Sequence, residues 1–258
     1  MFTPISGKHS ISKVIANIFL PQGIIRPDNL FNKLQEKNAL NSYQKKGISR
    51  SQTINFNQNI LNISDNEISG FVCEEFSPIG KSINVLKVEN VNGNSKSQIN
   101  FECREYDRWQ PFRERFYKDV NEIAKDYQLF VEAISLNYVD EFIWNSPENI
   151  PIKEIFDEHS EFLNSSFYKS HNGTIVLISQ SAMTDIKPLK EEKIEILFNN
   201  DIKRVIVNHT VAIKPRDIKI FTEEFETLSS YFEEAHSINK DLLKNILTQK
   251  TQNIIGLC

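Results

Sequence analysis

Glycine and proline are both scarce in this chain, 8 and 9 of 258 residues. Few glycines leave few places where the backbone can approach a phosphate closely. None of the patterns G-x-x-x-x-G-K-[ST], G-x-G-x-x-G, G-x-S-x-G or H-E-x-x-H occurs. The sequence signatures of a phosphate-cradling loop, a dinucleotide-binding turn, a nucleophile elbow and a zinc-protease helix are thereby absent. Cysteine is equally thin. Cys73, Cys103 and Cys258 form an odd, widely spread set without a C-x-x-C pair. That pattern argues for reduced thiols in a cytoplasm, and against a disulfide framework or a zinc ribbon. Cys103 reads as a small buried hydrophobe. No stretch approaches eighteen uninterrupted apolar residues, and the short apolar run near the N-terminus is broken at Asn17. Neither a membrane span nor a signal peptide is expected. A net charge of −4 supplies no global field for nucleic acid or anionic lipid.

What is present suits a globular protein. Apolar residues make up 40% and charged residues 25%, and phenylalanine is abundant at 18. A chain of this length can bury a large core without metals or disulfides, as one large domain or two intimately packed ones. "SKVIANIFLP" reads as a strand and "RPDNLFNKLQEKN" as a short helix with Pro27 near its start. Residues 38–66, crowded with Asn, Ser and Gln, read as a long irregular insertion. Strands follow at 68–76, 81–91 and 97–106, with "NVNGNS" as a hairpin turn between the last two. A helix is predicted from about 110 to 127, its stripe formed by Phe112, Phe116, Val120, Ile123 and Tyr127. A long strand over 131–144 places Ile134, Leu136 and Tyr138 on one face. After a turn and short helix at 145–156, "SSFYKS", "GTIVLIS", "KIEILF" and "KRVIVNHTVAI" suggest an antiparallel meander. The longest helix spans about 223–248 with Thr222 as N-cap, and its apolar stripe skips only Asn239. Clustered strands followed by helices indicate an α+β protein with mostly antiparallel sheet. We read two related halves, 1–144 and 145–258, covered by the central and C-terminal helices.

The densest chemistry lies in "REYDRWQPFRERFYKD", residues 104–119. Asp107 and Gln110 stand at capping-box spacing and Pro111 falls in the first turn, so a helix start anchored by Trp109, Phe112 and Phe116 explains the apolar residues. Arginines remain. Arg104, Arg108, Arg113 and Arg115, with Trp109, are the candidate contacts for an anionic ligand, an RNA base or a partner, because guanidinium groups grip phosphate and stack on aromatics. Interleaved Glu105, Asp107 and Glu114 against five basic residues leave 104–118 at only +2, which favours salt bridges and anchoring.

The same stretch, followed by "LNYVDEF", resembles the central signature of a sporadically distributed prokaryotic family of unknown function. That family shows Tyr-x-x-Trp/Phe-x-x-Phe at a helix start, then an "LRYVN"-type strand, then a helix with "lHe-x-I" spacing. The corresponding residues are Tyr106, Trp109 and Phe112, then Leu136, Asn137, Tyr138 and Val139, then Ala235, His236 and Ile238. The resemblance extends over almost the whole chain. Asn137 stands where the family usually has Arg, Asp140 where it has Asn, and Leu242 or Leu243 replaces a late aromatic. The family brings no activity. Its sporadic occurrence implies mobile genes, such as toxin–antitoxin or phage-defence loci.

Other polar groups read as structural. His236 follows Glu233 and Glu234, but Asn239 and Lys240 occupy the positions a second metal ligand would need. His209 alternates with Val207 and Val211 as a core histidine would. His159 sits in "FDEHSEF", a solvated helix end, and "HNG" at 171–173 is a turn. Glu74, Glu75, Lys87 and Glu89 on adjacent strands faintly echo a metal-dependent nuclease. The expectation is a cytoplasmic, non-enzymatic protein that binds a protein encoded nearby, as an antitoxin or accessory subunit, without cofactor, metal or catalytic residues. A nucleic-acid or nucleotide binder using the arginine–aromatic cluster is the alternative, and a nuclease the third reading.

Overall fold

The structure, a computed structural model, describes residues 2–6, 9–51, 54–57, 60–63, 67–91, 95–184 and 187–257. The chain begins with β1 (Phe2–Pro4) and β2 (Ile11–Leu20), then α1 (Pro27–Glu36), whose proline starts the helix at no hydrogen-bond cost. β3 (Lys45–Ser51), β4 (Ile54–Asn57), β5 (Ile60–Ile63), β6 (Glu67–Phe76), β7 (Ser82–Val91) and β8 (Lys96–Cys103) follow. Next come α2 (Trp109–Ala124), β9 (Phe130–Val131), β10 (Ala133–Trp144) and the one-turn α3 (Ile152–Ile155). The rest is β11 (Gly173–Gln180), β12 (Leu189–Asn199), β13 (Arg204–Lys214), β14 (Lys219–Ile220), α4 (Phe225–Ile246) and α5 (Gln249–Ile254). The protein is α+β with mostly antiparallel sheet, as the clustering of strands implied.

Two compact units result. One comprises Met1–Ile15, Ile134–Arg216 and Glu226–Cys258; the other comprises Ala16–Ala133 and Asp217–Phe225. The division at 144/145 read from the sequence is therefore not the observed one. The reason is β10, which pairs antiparallel with β13 from Ile134↔Ile213 to Ile143↔Arg204 and with β1 through Thr3↔Ile143. That ladder ties β10 to residues 61 to 79 places downstream.

In the unit holding the central helix, strands run in the order β8-β7-β6-β3, with the second half of β2 beside β8. Period-2 alternation turns Ile18, Phe101, Leu86 and Phe71 to one face, where all are fully buried. Helix α1 covers that face through Phe31, 5.2 Å from the Phe71 ring, and α2 through Phe112 and Phe116, 5.6 and 6.0 Å from Phe101. Each such side chain contributes about 1.5–3 kcal/mol by leaving water. Gly70 is required where it stands, because a Cβ there would lie 2.0 Å from the Val88 carbonyl oxygen.

In the other unit the order is β11-β12-β13-β10, with the first half of β2 and β1 adjoining β10. Its core face carries Leu136, Tyr138, Val207, Val211 and Ile196, and α4 lays Leu228, Phe232, Ala235, Leu242 and Ile246 against core. Phe156, Phe167 and Phe198 close one end with edge-to-face contacts at 5.3 Å.

Several local expectations are corrected. Residues 38–66 hold a strand, β3, paired with β6 from Lys45↔Glu74 to Ser51↔Glu67, and a short β4–β5 hairpin, although 52, 53, 58, 59 and 64–66 lie outside the described residues. Asn- and Ser-rich composition hid this because a ladder needs backbone groups, whatever the side chains. "SSFYKS" is a 3-10 turn over Phe167–Lys169, not a strand. Of the "NVNGNS" turn, residues 92–94 lie outside the described set. The last helix starts at Phe225, and Thr222 is in the turn before it. Glu224 folds back there, accepting from the Ile220 amide at 3.0 Å and Lys219 at 2.8 Å. The central helix ends at Ala124, which leaves Tyr127 outside it.

Candidate functional site

The arginine–aromatic segment runs from the end of β8 into α2. The chain stays extended through Arg108 (φ −147°, ψ 160°), so Trp109 is the first helical residue and no side chain caps the helix. The expected capping box does not form. Its acid, Asp107, lies outside the cap position and exposed, and Gln110 gives its amide to Glu114 at 2.9 Å. Anchoring comes from rings instead. Trp109 is half-buried and stacks on Phe112 at 5.7 Å, and Tyr106 meets Phe112 edge-on at 6.0 Å.

The five candidate contacts fall into different settings. Arg104 bonds Glu102 at 2.6 Å and lies 3.7 Å from Glu74. Arg115 bonds Asp119 at 2.9 Å, Glu75 at 3.0 Å and the Ser42 hydroxyl at 2.7 Å, and sits 5.1 Å over the Tyr43 ring. Glu74 and Glu75 are consecutive on β6 and point to opposite faces of the sheet, so the two guanidinium groups do the same. Arg108 is exposed, with Asp107 3.9 Å away. Arg113 is half-buried on α2. Arg104 and Arg115 are thus committed to the chain's own carboxylates, and they do not converge on one ligand position.

Arg115 belongs to a buried polar group that the sequence did not disclose. Tyr43 donates to Asp119 at 2.5 Å, and both are almost fully buried. Burial pushes the Asp119 carboxyl up, against the pull of Arg115 and the Tyr43 hydroxyl. Burial, then the neighbouring Asp119 charge, also raises the Tyr43 phenol. The Arg115–Asp119 spacing of four residues was the available signal; Tyr43 was hidden in the stretch read as irregular.

A second buried network lies under α4 in the other unit. His209 Nε2 is 2.8 Å from Asp140 Oδ2, and its Nδ1 is 3.1 Å from Asn239 Oδ1. Asn239 Nδ2 donates to the Leu136 carbonyl at 3.0 Å, and Ser10 donates its hydroxyl to Asp140. All four side chains are at most 3% exposed. Serine, histidine and aspartate are all present, but in the wrong order for nucleophilic catalysis. The hydroxyl is spent on the carboxylate, where an activated serine would face the imidazole. At the network's side, Tyr138 stacks on His209 at 5.5 Å and its hydroxyl meets His236 Nδ1 at 2.7 Å. Burial lowers the His236 pKa, with Glu233 opposing and Lys240 reinforcing the shift.

The residues that echoed a nuclease do not all share one face of the sheet. The register Val72↔Lys87 and Gly70↔Glu89 puts Lys87, Glu89 and Glu74 on the face opposite Cys73 and Leu86, while Glu75 shares the face of those two. Lys87 pairs with Glu89 at 2.5 Å. His159 borders an open hollow of about 480 Å³ together with Asp157, Glu161 and Lys244. Among the described residues no group of three or more His, Cys, Asp and Glu side chains is placed to hold a metal ion. Among the described residues, no helix is long and apolar enough to cross a membrane.

Among the described residues, the most accessible apolar surface with regular geometry is strand β11. Among the described residues it pairs with β12 alone, through Thr174↔Leu197 to Gln180↔Glu191, and ends the strand order of its unit. Ile175 and Leu177 join the buried row of Ile196 and Ile194, while Val176 and Ile178 on the other face are 48% and 62% exposed. Its eight residues contain neither charge nor proline. Sequence reasoning named the strand without seeing that it would be an edge. Compared with known protein families, with curated proteins and with solved structures, the chain matches none.

Proposed function

We propose that this protein works without catalysis, by binding another protein through the open edge of β11. The observation that carries the reading is the edge itself. Terminal strands usually bear charges, prolines or bulges that stop other strands from docking, and β11 bears no charge and no proline, with Val176 and Ile178 turned outward. Backbone N–H and C=O groups on its unpaired side can accept an added strand. The polar clusters support the same reading from the other direction. Arg115 and Arg104 are bound to internal carboxylates, and the Asp140–His209 pair is closed off beneath α4.

The partner we propose is the product of a neighbouring gene in a toxin–antitoxin or defence locus, a narrowing that rests on the family resemblance alone. Expression of the native locus with a tag on this chain should yield a second polypeptide at equal stoichiometry. The exposed double substitution Val176→Lys, Ile178→Lys should abolish that recovery while the circular dichroism spectrum is retained. Full recovery with the double variant, or absorbance at 260 nm that falls as salt is raised, would overturn the reading.

A further inference from the structure

We propose that the edge of β11 is occupied by β11 of a second copy of this chain, in antiparallel pairing about a two-fold axis through Val176. The inference rests on the reading of that edge as a contact surface, and names what covers it in the chain on its own, when the neighbouring gene's product does not hold the same edge.

Symmetry makes the first argument. A two-fold axis perpendicular to a sheet keeps each face of one copy continuous with the same face of the other, so opposed residues must share parity. With the axis at Val176, Ile175 stands opposite the second copy's Leu177. The row Ile196–Ile175 on the core face thus continues into the matching row of the neighbour. On the outer face Val176 meets its own counterpart, and Thr174 meets Ile178. The two most exposed apolar side chains of the strand, Val176 and Ile178, are those that gain cover.

Charge makes the second. A strand that pairs with itself sets like against like near the axis, so any ionised residue there repels its own copy. From Gly173 to Gln180 there is none. The strand that ends the order in the other unit, β3, carries Lys45, Lys46 and Arg50 and would set cations against cations. Edge protection is present at β3 and missing at β11, which is the pattern expected when one edge is kept open for use.

Light scattering on the purified chain at tens of micromolar should give twice the chain mass of 29.9 kDa. Val176→Lys, which brings two ammonium groups together at the axis, should halve that mass. Because Val176 faces solvent in the single chain, its far-ultraviolet spectrum should not change. Val176→Cys should form an interchain disulfide on mild oxidation that the unsubstituted chain does not, since opposed residues in antiparallel strands lie about 4.5–5.5 Å apart, within disulfide range. A monomeric unsubstituted chain, a dimer that survives Val176→Lys, or failure of the Val176→Cys variant to cross-link would each overturn self-pairing. If the unsubstituted chain is monomeric yet the double lysine variant still loses its co-purifying partner, the edge reading stands and only its occupant is wrong. If neither assay responds to substitution, both fail.

Discussion

Asn239 is the one break in the apolar stripe of the last helix, and its amide oxygen lies 3.1 Å from the ring nitrogen of His209 on the strand beneath. The break is therefore a matched polar pair crossing a helix–sheet interface. Restoring the stripe with Asn239→Leu should destabilise the protein by about 1–3 kcal/mol, because His209 Nδ1 and the Leu136 carbonyl would each lose a buried partner. Chemical denaturation checks it; a gain in stability would show that the network contributes nothing net.

Asp119 is the common acceptor of Arg115 and Tyr43. Asp119→Ala leaves a half-buried guanidinium and a buried hydroxyl without that acceptor, and should cost about 3–5 kcal/mol, the range for breaking one side of a buried pair. Arg115→Met, which removes the charge and keeps much of the volume, should cost less. Urea denaturation midpoints of the two variants, with unchanged slopes, decide the order.

His236 has its pKa lowered by burial, so between its folded value and the ordinary value near 6.5 the unfolded chain binds more protons than the folded one. Stability from this residue is full above that window and falls as pH drops through it. Melting temperatures recorded from pH 8 to pH 5 should decline more steeply for the unsubstituted chain than for His236→Gln. Parallel curves would rule the effect out.

Cys73 and Cys103 should be inert while the chain is folded. Burial pushes Cys73 up to about 12 and Cys103 up to about 11, leaving little thiolate at pH 8. Iodoacetamide at that pH, followed by peptide mass mapping, should leave both unmodified until denaturant is added.

Gly70→Ala tests the register of β6 on β7. A methyl group 2.0 Å from the Val88 carbonyl oxygen forces the strands apart, for a loss of about 1–3 kcal/mol. A substitution without effect on the unfolding midpoint would mean that the strands can separate locally at no cost.

Much of the fold was legible because side-chain period reports burial directly. Phe112, Phe116, Val120 and Ile123 recur at helical spacing and are all buried, as are Leu136 and Tyr138 at strand spacing. Residues 45–51 escaped because β3 is an edge strand held by backbone bonds to β6, and Lys, Gly, Ser and Arg carry no burial signal. Unit boundaries escaped for a related reason. Ten-residue pairing of β10 with β13 is a long-range event, and nothing within residues 131–144 announces its partner. At the arginine cluster the rings were read correctly as anchors, but the partners of Arg115 were not, since the adjacent Ser42 and Tyr43, and Glu75 on β6, come from two other places in the chain.

The indole that stacks on Phe112 has a practical consequence. Of the chain's two tryptophans, Trp109 falls in one compact unit and Trp144 in the other. Single-tryptophan versions of the protein would turn intrinsic fluorescence into two separate optical thermometers, one per unit. Coincident emission changes on heating would mean that the two melt as one cooperative body, and staggered changes would mean that each melts on its own.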